Sequence, residues 1–528
     1  MKKARVFFTA LFLAGAATAT AQPVSMAQIH FLGGEAISGD PNHLAFTKEF
    51  CSPPAVALEN EALDKLARAP GAWLRAKLPA GATDGSGQLR PLLDDLLKSE
   101  WRLEIADENG QPEYCLAIRL SDARAQLWSR NLSTLLENWT GIKISRQASG
   151  WELKKDEAPN MFQFSRQGGL VVLDCGQDHL FLRDALIQAF VAGPAMNTPQ
   201  PAWLEMNLDW PRLARVFPAL AKFDFPVMAF QARAYGGNFH VGGRFYPSRP
   251  LPPLPAWRIP TNVIHEPFIS FTAARGAGRW LERQWWFRPL ALRPQPDQLF
   301  IWTLPQIPFQ TFAAEPVADP NAALGQLRGN LAANTSWEGQ FTTPLKVTLA
   351  GGRLSFTGTP FIAPYIQADR EAHGNFLMGG FFPNTPRGQP WPPKLLAELA
   401  QPNLVYYHWE FTSQRLKELP QLTQLLLLLT NRRQLLGGSA GERWLQRVGS
   451  TWGSTVTSIT EESPRELLFT RTAPGGLTAI EALALANWIE SPAFPAFDLR
   501  LPRRPRLRPV HRRKMLSTPP RPAPVAPR

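Results

Sequence analysis

The sequence predicts an α+β fold of two related domains, each a mostly antiparallel twisted sheet with helices packed on one face. Three observations predict it: a hairpin grammar that occurs twice, a proline-dense stretch between the two occurrences, and a strand–strand–helix ending. Residues 164–173 run as strand, Gly168-Gly169 turn, strand, and residues 347–356 do the same about Gly351-Gly352. Each hairpin is followed by an apolar strand passing into a helix, over 203–210 into Arg212-Leu213-Ala214-Arg215 and over 404–411 into Gln414-Arg415-Leu416-Lys417. Between them, 246–260 carries Pro247, Pro250, Pro252, Pro253, Pro255 and Pro260. Proline at that density opposes helix and central strand and favours an extended connector. The expected division is therefore a first repeat domain over 22–245, a linker over 246–260 and a second repeat domain over 261–499. A second proline-rich loop, 383–393, lies inside the latter.

The ending supplies the third observation. Residues 455–460 and 466–470 read as strands across Glu462-Ser463-Pro464-Arg465. Thr478-Ala479-Ile480-Glu481 forms a capping box, in which the threonine oxygen serves the amide three residues on and the glutamate reaches back. Ile480, Leu483, Ala484, Trp488 and Ile489 then make an apolar stripe on the following helix. This segment, 451–491, resembles exported proteins of unknown function from the Planctomycetes–Verrucomicrobia group. The resemblance implies no activity.

The two ends of the chain carry different signals. Lys2, Lys3 and Arg5 precede an apolar run over 6–13, and Ala19-Thr20-Ala21 gives a small-x-small cleavage pattern. This reads as a cleaved secretory leader over 1–21, too short to span a bilayer. The expected location is exported: periplasmic, envelope-associated or extracellular. From Arg500 onward there are ten basic residues, eight prolines and no acid. Such a segment buries too little apolar surface to offset its ordering entropy, so 500–528 reads as a disordered tail. With the leader's three positive charges and the tail's ten set aside, 43 basic residues face 43 acidic ones. The net +13 of the chain therefore does not describe its body, and no nucleic-acid partner is expected. The tail's charge fits an anionic envelope polymer or lipid headgroups, or a solvated end with no partner.

Motifs for chemistry are sparse. Gly437-Gly438-Ser439-Ala440-Gly441 matches the G-x-S-x-G nucleophile pattern, which works when a strand delivers the serine onto a strained turn. Here a leucine-rich helical segment precedes it and only His511 follows, so a helix end before a new helix is the better reading. Asp174-Cys175-Gly176-Gln177-Asp178-His179 is the densest run of reactive side chains. Neighbours in sequence seldom converge on one atom, and a turn with Asp178 capping a helix over 180–192 accounts for it. The eight histidines are scattered, with no metal-binding helix spacing, no phosphate loop and no dinucleotide fingerprint. No catalytic residue, metal site or cofactor is expected. Three cysteines, Cys51, Cys115 and Cys175, allow at most one bridge.

Eighteen tryptophans are many for this chain, and 279–288 holds the tightest group. Trp280, Arg283, Trp285, Trp286 and Arg288 interleave rings with guanidinium groups, good material for stacking on sugars, bases or a partner's side chains. They are the predicted ligand-binding residues, core packing being the competing explanation. The leading functional expectation is an exported non-catalytic protein acting in binding or cell-envelope organisation. The alternative is an exported hydrolase acting on polysaccharide or peptide.

Overall fold

The computed structural model describes residues 24–496, apart from 109, 155–160, 177–179, 193–201, 222, 262, 266, 277, 284–289, 306–309, 334–345, 359–361, 372–373, 383–392 and 420–437. The expected leader over 1–21 and the expected tail over 500–528 lie outside the described residues. The first half runs β1 (Val24–Phe31), α1 (Gly34–Ser38), α2 (Leu44–Phe50), α3 (Pro53–Leu74), α4 (Ser86–Lys98), β2 (Trp101–Glu108), β3 (Gln111–Arg119), α5 (Asp122–Thr140), β4 (Ser145–Gln147) and β5 (Gly150–Lys154). It continues with β6 (Met161–Gln167), β7 (Leu170–Gly176), α6 (Leu180–Ala192), β8 (Leu204–Asp209), α7 (Trp210–Val216), β9 (Val227–Tyr235) and β10 (Asn238–Tyr246). The second half runs β11 (Ser270–Arg275), α8 (Gly278–Arg283), β12 (Gln298–Thr303), β13 (Thr311–Val317), α9 (Pro320–Ala333), β14 (Lys346–Ala350), β15 (Arg353–Thr357), β16 (Tyr365–Glu371) and β17 (Gly374–Gly380). It closes with α10 (Pro393–Leu399), β18 (Leu404–Phe411), α11 over 412–419, α12 (Ala440–Thr451), β19 (Ser454–Ser463), β20 (Glu466–Ala473) and α13 (Ala479–Glu490).

Among the described residues all pairings are antiparallel and join into one twenty-stranded sheet. From its first edge the order is β4-β5-β6-β7-β3-β2-β1-β8-β9-β10. From the other edge it is β14-β15-β16-β17-β13-β12-β11-β18-β19-β20. Numbered within each half, the two orders are identical, and β10 pairs with β20 at the centre. The hairpin over 164–173 therefore takes the same place as β16–β17, while that over 347–356 takes the place of β4–β5. Turn chemistry alone cannot distinguish these, since every tight hairpin uses the same local grammar.

The core corrects the expectation of helices on one face. Residues paired across antiparallel strands share a face, and neighbours along a strand alternate. Helix α5 packs Trp128 and Leu132 on Ile118 and Val171, whereas α6 packs Leu182 and Leu186 on Ala117 and Val172. These strand residues alternate, so the two helices lie on opposite faces. In the second half α9 covers Leu354 and Leu377, and α10 covers Phe300, Ala314 and Met378. In the first half α5 carries the chain from β3 to β4 and α6 carries it from β7 to β8, one over each face, and α9 and α10 hold the same places in the second half.

Most other helices join α5 and α9 on the back face. There, α3 supplies Ala55 and Leu58 to a cluster with Leu416, Trp444, Val448, Trp452, Ala482 and Ala486 of α11–α13 and the turn after α12. Arg447 donates to Glu49 at 3.0 Å, and Lys65 donates to the Ile489 carbonyl at 2.7 Å. The first half is thus clasped to the last helices as well as paired at β10·β20.

Residues 247–260 form neither helix nor strand, as their prolines require. They are nonetheless anchored. The buried Arg275 donates to the carbonyls of Pro255 and Leu404 and stacks over Trp257, and Gln298 bonds the backbone at Ala256 and Arg258.

Candidate functional site

One line of paired residues crosses the whole sheet and locates the site. On the face that carries α6 and α10 it passes Val172, Ala117, Arg102, His30, Glu205, Gln231, Gly242, Thr470, Ser458, Tyr407, Ala273, Phe300 and Ala314. At one end Val172 and Ala117 are buried under α6, and at the other Ala273, Phe300 and Ala314 are buried under α10. The stretch between is polar, and Glu205, Gln231 and Thr470 are exposed. Two helices flank an open floor made by β1, β8, β9, β10, β20, β19 and β18.

The floor's side chains follow from strand alternation. In β9, Gln231, Arg233 and Tyr235 are exposed while Ala232 and Ala234 are buried on the opposite face. Arg233 pairs with His240, and His240 with Thr472. The Nδ1 atom of His240 lies 3.2 Å from the Thr472 hydroxyl, and Ser458 and Thr470 share a hydroxyl contact of 2.6 Å. His30 stands between two carboxylates, with Nε2 at 3.0 Å from Glu100 and Nδ1 at 3.4 Å from Glu205. Hydrogen bonds from His30 hold the Glu100 carboxyl below its ordinary range, with Arg119 adding to them against the opposing effect of burial. Tyr235 and Tyr246 put large rings on the same face, and Arg244 is paired with Glu466 at 3.3 Å.

At the α10 end the floor deepens into a pocket of about 450 Å³. Tyr407, Trp409, Val456 and Ser458 form its base, Lys394, Leu395 and Glu398 of α10 form a wall, and Phe268 closes the side. Phe268 meets Trp409 edge-on, centroids 5.8 Å apart. Burial, reinforced by the charge of Glu398, pushes the Tyr407 hydroxyl up to about 12. It therefore remains a hydrogen-bond donor at physiological pH.

Trp280 and Arg283 sit on α8 with side chains outside the described residues, and Trp285, Trp286 and Arg288 are outside them entirely. Ser439 is the N-cap of α12, its Oγ accepting from the Glu442 amide at 3.1 Å. Gln177, Asp178 and His179 lie outside the described residues, while Asp174 and Cys175 point to opposite faces of β7. Asp174 shares the floor face with Cys115 and Glu104, all buried at the foot of α6. Burial, with Asp174 second, pushes the Cys115 thiol far up, and burial pushes that of Cys175 up to about 12, so both are protonated and unreactive. Cys51 is exposed, and all three cysteines are free. Among the described residues no group of three or more His, Cys, Asp and Glu side chains is arranged to hold a metal ion, and no helix is long and apolar enough to cross a membrane.

The floor was not found by motif reasoning, because its members are spread from His30 to Thr472 and meet only through strand order. The one local signal was the alternation in β9, where alanines interleave with Gln231, Arg233 and Tyr235. No family model, no curated protein and no solved structure matches the chain.

Proposed function

We propose that this chain is an exported, non-catalytic binding protein of the cell envelope, and that the open floor is where it holds an extended envelope polysaccharide. On this reading the chain consists of two related α+β units whose sheets merge at β10·β20, with 246–260 as the connector between them. The observation that carries it is the paired line from Glu205 through Gln231, Gly242 and Thr470 to Ser458, exposed or partly exposed between two helix-covered apolar ends. A sheet face left uncovered in the middle of an otherwise clad sheet, with hydrogen-bonding side chains on successive strands, suits an extended ligand laid across the strands. The mixture of Glu205, Gln231, Arg233, His240 and Thr470 with tyrosine rings supports a hydroxyl-rich polymer over a strongly charged one. The leader pattern supports the envelope setting.

The test is co-sedimentation of the full chain with insoluble bacterial wall polysaccharide, wild type against a Glu205→Ala, Arg233→Ala double variant. Wild-type retention is expected, with a clear loss in the variant at unchanged melting temperature. Equal retention of both proteins would remove the floor from the function.

A further inference from the structure

The pocket at the α10 end of the floor has a composition that specifies more than a general polymer groove. We propose that it is a subsite for one uncharged pyranose ring of the bound glycan, stacked on Trp409 and hydrogen-bonded at its edge by Ser458, Tyr407, Glu398 and Gln401. The inference rests on the floor being the ligand site and names the chemical class that its deep end selects.

A pyranose has a weakly polar C–H face and a rim of hydroxyl groups, so its complement is a partly exposed aromatic plate beside a fringe of donors and acceptors. Trp409 supplies the plate. It is partly buried against the second-half core, and Phe268 packs edge-on against it and restricts its rotamers. Trp409 and Tyr407 are two residues apart on β18, and their register partners are Val456 and Ser458 on β19. All four side chains therefore rise from adjacent positions on one face.

The fringe is complete in both senses of hydrogen bonding. Tyr407 donates; Ser458 both donates and accepts; Glu398 accepts and is itself held by Gln401 Nε2 at 3.0 Å. Lys394 adds a cation one turn before Glu398 on α10, so the wall carries no net charge. That balance disfavours a phosphate or carboxylate ligand, which would face Glu398, and an alkyl chain would leave the fringe without partners on burial. The volume of about 450 Å³ lies within the range of small-molecule sites, about 300–1,000 Å³.

The experiment titrates the full chain with two neutral probes, cellotetraose and the tetramer of N-acetylglucosamine, following tryptophan fluorescence and calorimetric heat. Octanoate and inorganic phosphate serve as the acyl and anionic controls. The proposal expects at least one tetrasaccharide to bind, with affinity falling about tenfold in Trp409→Ala, recovering in Trp409→Phe, and falling in Ser458→Ala. Trp409→Phe also controls for folding, since it keeps the edge contact with Phe268. If the tetrasaccharides bind and Trp409→Ala leaves affinity unchanged while the Glu205, Arg233 double variant lowers it, the subsite is overturned and the floor reading stands. Saturable binding of octanoate or phosphate in place of the sugars overturns the assignment of ligand class. Failure of both tetrasaccharides to bind overturns the subsite too, with wall co-sedimentation still deciding the floor independently.

Discussion

Gly242 and Thr470 face each other across β10·β20, and each is the fifth residue of its strand. Either side of them the register is the same in both directions, Phe239 with Ala473 and Phe245 with Leu467. The central pairing thus has the self-complementary form that joins like to like about a two-fold axis. That axis meets the sheet in the middle of the open floor, so the two ends of a ligand lying there would meet the two halves of the chain from opposite directions.

Adjacent glycines at this centre are predicted to differ sharply. A Cβ on Gly243 would lie 2.3 Å from the Phe230 ring and 2.9 Å from the Ala229 carbonyl oxygen on the back face. Gly243→Val is expected to cost about 1–3 kcal/mol by overpacking, read as a lower melting temperature. On the floor face, a Cβ on Gly242 meets nothing nearer than Gln231 Nε2 at 3.8 Å. Substitution there is expected to leave the melting temperature within about a degree or two of wild type, or to raise it.

The buried acid Asp95 organises α4 against α5. Arg124 donates to it from two nitrogens, and Trp128 donates Nε1–H at 2.8 Å. Asp95→Ala leaves the indole N–H without its acceptor and the Arg124 guanidinium with only the Pro91 carbonyl. A loss of roughly 2–4 kcal/mol is expected in denaturant titration, and Asp95→Asn should recover part of it.

Stability should depend on pH through Glu315. Burial raises its carboxyl to about 7. The folded state therefore binds a proton that the unfolded state has already released, and this contribution is full at acidic pH and lost as pH rises through about 7. Glu315→Gln is expected to match wild type near pH 4 and to be more stable at pH 8, by on the order of 1–3 kcal/mol. Melting curves at the two pH values check it, and an unchanged difference between them would show that the proton is not held.

The clasp between α3 and α11–α13 predicts that the halves unfold together. Trp444 is 2% exposed within that cluster and meets Trp452 edge-on, centroids 6.2 Å apart. Trp444→Ala is expected to cost about 3–5 kcal/mol while preserving a single calorimetric transition. Two resolved transitions in the wild-type chain would show instead that the halves are independent.

Local features of the fold were legible because local physics determines them. The capping box at Thr478 and Glu481, the strand over 404–411, the last hairpin of the chain, β19–β20, and the helix over 180–192 were all written in turn residues, caps and alternation. Strand order was not. Nothing near Tyr246 says that β10 pairs with β20, more than two hundred residues later, or that 164–173 matches β16–β17. The placement of α6 and α10 opposite the other helices was equally hidden, because both faces of β3 and β7 are apolar and alternation has no contrast there. The site shared that fate: His30, Glu205, Gln231, Thr470 and Ser458 are ordinary polar residues until five strands bring them into line.

The most direct test places one large side chain at the centre of the floor. Gly242→Trp should fold like wild type, because its Cβ position is open and its backbone lies outside the positive-φ region. Binding of the full chain to insoluble wall polysaccharide is then measured beside wild type at matched melting temperature. Gly242→Trp is expected to lose retention by about tenfold or more. Retention equal to wild type in a normally folded Gly242→Trp would show that the floor is not the binding surface.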